Sequence, residues 1–173
     1  MKGIPLNAEV EAGDGYAGKS TNVIFNPVSN ELTHFVVAHK HGDETTERIV
    51  PVEAVVETTH NSIRLSLTND QVAKLDPFTE THYIKVEAPD YDYARAMPYH
   101  ALPTKEYDKA VKDEMVPPGE LAVHRGAKVE ASDGPVGQVD GFLVDPESGH
   151  ISHMVLQEGH TLGDRVVSLP MSA

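Results

Sequence analysis

The sequence predicts a mainly β protein in which two related segments each fold as a small antiparallel barrel or sandwich. Three observations predict this fold class. One segment of the chain recurs later at a constant offset, both copies alternate short β-type runs with turn residues, and helix signals are few.

A repeat sets the domain organisation. Residues 10–37 align with residues 129–156 at an offset of 119 without a gap, and ten of the 28 positions are identical. With a shortening of two residues, Arg48-Ile49-Val50 then matches Arg165-Val166-Val167. Two copies are too few for a solenoid, so the repeat predicts two related domains.

Each copy has the residue pattern of successive hairpins. Glu9–Ala12 alternates polar and apolar side chains, as a half-buried strand does. Asp14-Gly15 and Asp133-Gly134 are hairpin signals, because glycine accepts a positive φ. Further strands are predicted at residues 23–25, 32–38 and 47–50 in the first copy and at residues 141–144, 151–157 and 164–167 in the second.

The first copy continues beyond the repeat. Residues 55–57 and 62–67 have the pattern of another hairpin, and Thr68 or Asn69 can cap a short helix that follows. The second copy ends before this hairpin, which would leave a sheet edge unpaired. Either the chain is truncated, or the edge is completed by a linker strand, by the first domain, or by another molecule in a homodimer.

A linker is predicted at residues 79–120, between a first domain at residues 1–78 and an incomplete second domain at residues 121–173. It holds five of the six tyrosines and is rich in proline. Residues 81–87 have the pattern of a strand, and residues 105–113 have that of a short, weak helix.

The composition excludes several classes of function. The chain carries 27 acidic and 14 basic side chains, a net charge of −13, which disfavours binding to nucleic acid or to an anionic lipid surface. Without cysteine there is neither a disulfide framework nor a thiolate metal site. There is no membrane-spanning run of about 18 apolar residues and no signal-peptide core. These features predict an acidic, cytoplasmic protein without a cofactor.

The second copy resembles the PRC-barrel domain. Residues 126–139, residues 142–151 and residues 165–170 match the order of strands and turns in that family's signature. The first copy is similar to it more loosely, with Asn26 in place of the turn aspartate and Val50-Pro51-Val52 as the closing motif.

The resemblance implies two strongly bent antiparallel β-barrels that do no chemistry of their own. The family includes the cytoplasmic part of the photosynthetic reaction-centre H subunit and the C-terminal domain of a ribosome maturation factor, where the barrel docks onto a partner. The expected function is therefore non-enzymatic protein binding or assembly with a neutral or basic protein partner. The alternatives are a reaction-centre-associated protein and a histidine-based metal- or pH-responsive protein.

Histidine is the one enriched residue type, with ten in the chain. His39 and His41 stand two apart and so share one face of a strand, a spacing that can bind a transition metal. A metal site would need a third ligand such as Asp43, Glu44 or His60, and an ordinary strand end is the more frequent explanation of this pattern.

His34 and His153 occupy the same place in the two copies. An imidazole there could titrate near neutral pH, but a structural role beside an apolar strand is the favoured interpretation.

Three tyrosines of the linker are candidate partner contacts: Tyr91, Tyr93 and Tyr99. Tyrosine gives a large, amphipathic contact area, and the neighbouring aspartates would suit a basic partner. The alternative is that the linker packs onto a barrel through these rings.

Overall fold

Two compact units make up the structure. The computed structural model describes residues 2–91, 103–145, 147–158 and 165–171. One unit joins residues 1–78 with residues 116–173 and contains both copies of the repeat, and the other consists of residues 79–115. Within the described residues, no helix is long and apolar enough to cross a membrane.

The described residues are mainly β-strand, as the sequence predicts. In chain order the strands are β1 (Lys2–Pro5), β2 (Glu9–Ala12), β3 (Gly15–Asn26), β4 (Glu31–His41), β5 (Glu44–Pro51), β6 (Val55–Thr58), β7 (Ser62–Leu65), β8 (Thr79–Pro89), β9 (Thr104–Glu114), β10 (Leu121–His124), β11 (Lys128–Ala131), β12 (Gly134–Val144), β13 (Ile151–Glu158) and β14 (Arg165–Pro170). A 3-10 turn, Val52–Ala54, precedes β6, and a short helix, α1 (Asn69–Ala73), follows β7.

The hairpin and helix predicted beyond the first repeat are confirmed as β6, β7 and α1. Thr68 is the N-cap of α1. Its backbone N–H donates to the Gln71 side chain at 2.9 Å, and the Gln71 N–H donates to Thr68 Oγ1 at 3.4 Å. This reciprocal capping box satisfies two backbone donors at the helix start.

The same strand pairings recur in both copies at the offset of 119. In the first copy β3 pairs with β2 and β4, and in the second β12 pairs with β11 and β13. The offset persists in the last strand, where Pro51 lies opposite His34 and Pro170 lies opposite His153. The predicted shortening by two residues is therefore wrong for this strand, because Leu169 rather than Val167 takes the place of Val50 beside the core.

The first strands of the copies, β1 and β10, are exchanged. β1 pairs antiparallel with β12, where Ile4 lies opposite Phe142. β10 pairs antiparallel with β3, where Val123 lies opposite Val23. Position 123 is position 4 plus 119, and position 142 is position 23 plus 119, so the two pairings are equivalent. Each copy therefore contributes its first strand to the sheet of the other.

The turns that follow β3 and β12 bind each other in the same reciprocal way. The Leu32 N–H donates to the Gly149 carbonyl oxygen at 3.1 Å, and the Ile151 N–H donates to the Asn30 carbonyl oxygen at 2.7 Å. Asn30 and Gly149 are 119 residues apart and have positive φ values of 55° and 73°. Asparagine and glycine are the residues that adopt this left-handed conformation most readily.

One hydrophobic core receives side chains from both copies. Phe25 and Phe142 pack in its centre, and Leu32 and Ile151 are buried in the same cluster. The domain division predicted from the sequence separates the copies, whereas the exchanged strands and the shared core place them in one unit. Among the strands described, no pairing closes either sheet of this unit into a barrel.

The second unit is a two-stranded ribbon of β8 and β9. The strands pair antiparallel from Thr79 opposite Glu114 to Pro89 opposite Thr104. The strand predicted at residues 81–87 is confirmed as part of β8, but the helix predicted at residues 105–113 is wrong, because this segment lies within β9. Its helix propensity is weak, and pairing with β8 along its whole length overrides it.

Candidate partner-binding edge

β2 in the first copy and β11 in the second occupy equivalent positions but have different neighbours. β2 pairs in parallel with β7, where Val10 lies opposite Ile63. β11 pairs with β12 on one side, and in the part of the chain that the structure describes no strand pairs with its other side. This unpaired side of Lys128–Ala131 is called the open edge below.

The backbone of β11 is oriented as the backbone of β2 is. The Ser20 N–H donates to the Ala8 carbonyl oxygen at 3.0 Å, and the equivalent Val139 N–H donates to the Ala127 carbonyl oxygen at 2.9 Å. In β2 the next residue, Glu9, directs its N–H away from β3 and donates to the Asn61 carbonyl oxygen at 2.9 Å. Lys128 is the equivalent of Glu9. Because successive residues of a strand direct their N–H and C=O groups to opposite sides, those of Lys128 point to the open edge.

Apolar side chains beside the open edge are less buried than their equivalents. Val10 is fully buried, and its equivalent Val129 is half-buried. Ala12 is buried, and its equivalent Ala131 is exposed. In the first copy Ile63 on β7 is fully buried in the same core cluster as Val10. Within the described ranges, the open edge therefore has neither the backbone partner nor the apolar cover that β7 gives to β2.

Glu130, beside the open edge, has different surroundings from its equivalent Glu11 in the first copy. In the first copy, Arg64 Nε on β7 lies 3.8 Å from Glu11 Oε2, and Arg64 Nη1 lies 3.4 Å from Glu57 Oε2. Glu130 is the equivalent of Glu11 and is exposed. Among the described side chains, no cation lies within 4.0 Å of its carboxylate.

A second strand edge of this copy is uncovered as well. In the first copy, residues 76–78 lie alongside β5. The Ile49 N–H donates to the Asp76 carbonyl oxygen, and the Phe78 N–H donates to the Glu47 carbonyl oxygen, both at 3.0 Å. Over the ranges described, no segment pairs with the corresponding side of β14, and Val166 is 64% exposed.

The unpaired edge that the sequence predicts in the second copy thus corresponds to β11 and β14. The first copy contributes β1 to this sheet, but β1 pairs with β12 and, within the described ranges, leaves β11 and β14 uncovered. The predicted linker strand lies within β8, which pairs with β9. The sequence signal for this site is the repeat itself, since Val129 and Glu130 stand 119 residues after Val10 and Glu11.

A surface cleft of about 480 Å³ lies between β1, the β6–β7 turn and β12. Its charged side chains, Arg125 and Asp140, form an ion pair with Nη2 and Oδ1 2.7 Å apart. These two groups therefore compensate each other's charge within the cleft.

The predicted metal ligands His39 and His41 lie at the end of β4. His39 Nδ1 donates to the Ala17 carbonyl oxygen at 2.8 Å, which leaves Nε2 for a ligand. His41 is exposed, opposite Glu44. Within the described residues, no group of three histidine, aspartate or glutamate side chains is arranged to hold a metal ion. The metal site stays a prediction, without a third ligand among the residues placed.

The repeated histidines have different surroundings. His34 Nδ1 lies 3.6 Å from Glu120 Oε2, and the Thr33 hydroxyl donates to the same oxygen at 2.7 Å. His153 Nδ1 lies 3.1 Å from the hydroxyl of Ser152 instead. His34 and His153 therefore occupy equivalent positions in the repeat but do not form the same site.

The three candidate tyrosines divide between described and undescribed segments. Tyr91 is 68% exposed. Tyr93 and Tyr99 lie outside the described residues.

Comparison of the chain with protein-family models gives no match, and a search of the curated proteins gives no match either.

Proposed function

We propose that this chain is a non-enzymatic protein-binding or assembly module of the PRC-barrel type, and that it binds its partner along the open edge. The observation that carries the proposal is the difference between two equivalent strands, since β2 is covered by β7 whereas β11 has no such cover among the described residues.

An extended segment added to β11 would satisfy its outward backbone groups. Edge strands are natural sites for such strand addition. The segment would also cover Val129 and Ala131, which are less buried than their equivalents. Burial of apolar surface favours such a complex, and the backbone hydrogen bonds of the added strand contribute to it as well.

The charge of the chain restricts the partner to a neutral or basic surface. The net charge is −13, and a like-charged partner would be repelled during the encounter. Glu130, exposed beside the open edge, favours a basic group at the contact itself.

Site-specific photocrosslinking in cells tests this function. A photoreactive residue at position 128, on the open edge, should give a discrete adduct with another protein. The same residue at position 28, where Val28 is 91% exposed on a turn, is the control. If position 128 gives no adduct beyond those of position 28, the proposed function is wrong.

A further inference from the structure

The chain contains its own example of the segment that this kind of edge accepts. β7, with the sequence Ser62-Ile63-Arg64-Leu65, lies parallel to β2. Ile63 and Leu65 are buried to 0% and 2% exposure, while Arg64 between them is exposed and reaches Glu11. β2 therefore pairs with an apolar–basic–apolar strand.

The open edge has the same features in the same order. Val129 stands where Val10 faces Ile63, and Glu130 stands where Glu11 faces Arg64. Position 128 carries a lysine where β2 has Glu9, so the match to β2 is limited to positions 129 and 130, and Glu130 is the one acidic side chain of β11.

We propose that the open edge of β11 binds an extended segment of a partner protein as a parallel strand with an apolar–basic–apolar sequence, its basic side chain lying against Glu130. This inference rests on the proposed function and specifies the chemistry and direction of the bound segment. A second copy of this chain would have to release its own β7 to provide such a strand, and Ile63 is fully buried there. A separate partner is therefore favoured over self-association.

The probe is a synthetic peptide with the sequence of residues 59–67 of this chain, titrated into the intact protein. Binding should protect the amide protons of Lys128 and Glu130 from exchange. Peptide N-methylated at the position of Ile63 should bind at least about tenfold more weakly, because this N–H would donate to β11. Methylation at the position of Arg64, whose N–H points away from the edge in a parallel strand, is the matched control.

Charge reversal tests the basic position. Replacing arginine by glutamate in the peptide should weaken binding by about 3- to 10-fold, the range of an exposed ion pair with added repulsion. The protein variant Glu130→Lys should restore binding of the glutamate peptide. Glu147→Lys, at an exposed turn position, makes the same change in net charge and should not restore it.

A spin label at the N-terminus of the peptide shows whether the bound peptide runs parallel or antiparallel to β11. In a parallel complex the label broadens signals near Lys128 more than signals near Ala131, and the reverse pattern would overturn the parallel assignment. Equal affinity of the arginine and glutamate peptides would overturn the charge selection.

Failure of the inference can be told apart from failure of the proposed function. If position 128 crosslinks to another protein but the peptide does not bind, the edge binds a partner of different chemistry and the inference alone is wrong. An adduct of this chain with itself would likewise contradict a separate partner.

Discussion

Phe25 and Phe142 pack with their ring centroids 5.8 Å apart and their planes tilted by 49°, one ring from each copy of the repeat. Their contact lies inside a core to which both copies contribute. Since β1 and β10 also cross between the copies, neither copy can unfold without opening the sheet of the other.

Removal of one of these two aromatic rings should therefore destabilise both copies of the repeat together. Phe142→Ala should lower the free energy of unfolding by about 3–5 kcal/mol, the usual cost of removing a buried phenylalanine ring. Urea titrations followed by the methyl NMR signals of Val23 in the first copy and Leu156 in the second should give one common midpoint. A wild-type midpoint at Val23 with a lowered midpoint at Leu156 would contradict a shared core.

Gly18 is a position where a side chain cannot be accommodated. It has a φ of +146°, and an added Cβ would lie 2.4 Å from the Ala38 carbonyl oxygen. Gly18→Ala should destabilise the protein by about 1–3 kcal/mol from backbone strain alone, with the clash adding to it. Gly15→Ala is the matched control, since Gly15 has a φ of +137° and open space at its Cβ. Equal urea midpoints for the two variants would show that the approach to Ala38 has no cost.

The turn after β12 should carry a pH dependence that the turn after β3 lacks. The Glu147 N–H donates to Asp145 Oδ1 at 3.0 Å, and this bond lowers the pKa of Asp145 from its ordinary value of 3.8. At the equivalent turn, Asn26 Oδ1 accepts from the Val28 N–H at 2.9 Å without a titratable group.

Because the pKa of Asp145 is lower in the folded state, its contribution to stability is present above the unfolded pKa and is lost as the pH falls through the folded pKa. Asp145→Asn should therefore remove a loss of stability that wild type shows below about pH 4. Urea midpoints of the two proteins at pH 7 and pH 3 measure this. A constant difference between them at both pH values would contradict the prediction.

The β8–β9 ribbon should be dispensable for folding of the unit that contains the repeat. Residues 79–115 form a separate compact unit, and Phe78 and Val116, on either side of them, belong to one hydrophobic cluster. Replacing residues 79–115 by a short glycine–serine linker should leave the core methyl NMR signals in place. Loss of dispersed methyl signals from Val23 and Leu156 would show that the ribbon is required.

The sequence by itself determined the strand class, the turns and the repeat. Alternation at Glu9–Ala12 and the glycine turns are local signals, and local signals can be read without knowing what packs against them.

Tertiary structure alone decided which strand pairs with which. β1 and β10 are four residues each, too short for a periodic pattern, and their partners lie in the other copy. β9 has weak helix propensity, and only its pairing with β8 makes it a strand. Strand pairing is a non-local interaction whose free energy depends on the partner surface, so the sequence predicted an unpaired edge but could not assign it to β11 and Glu130.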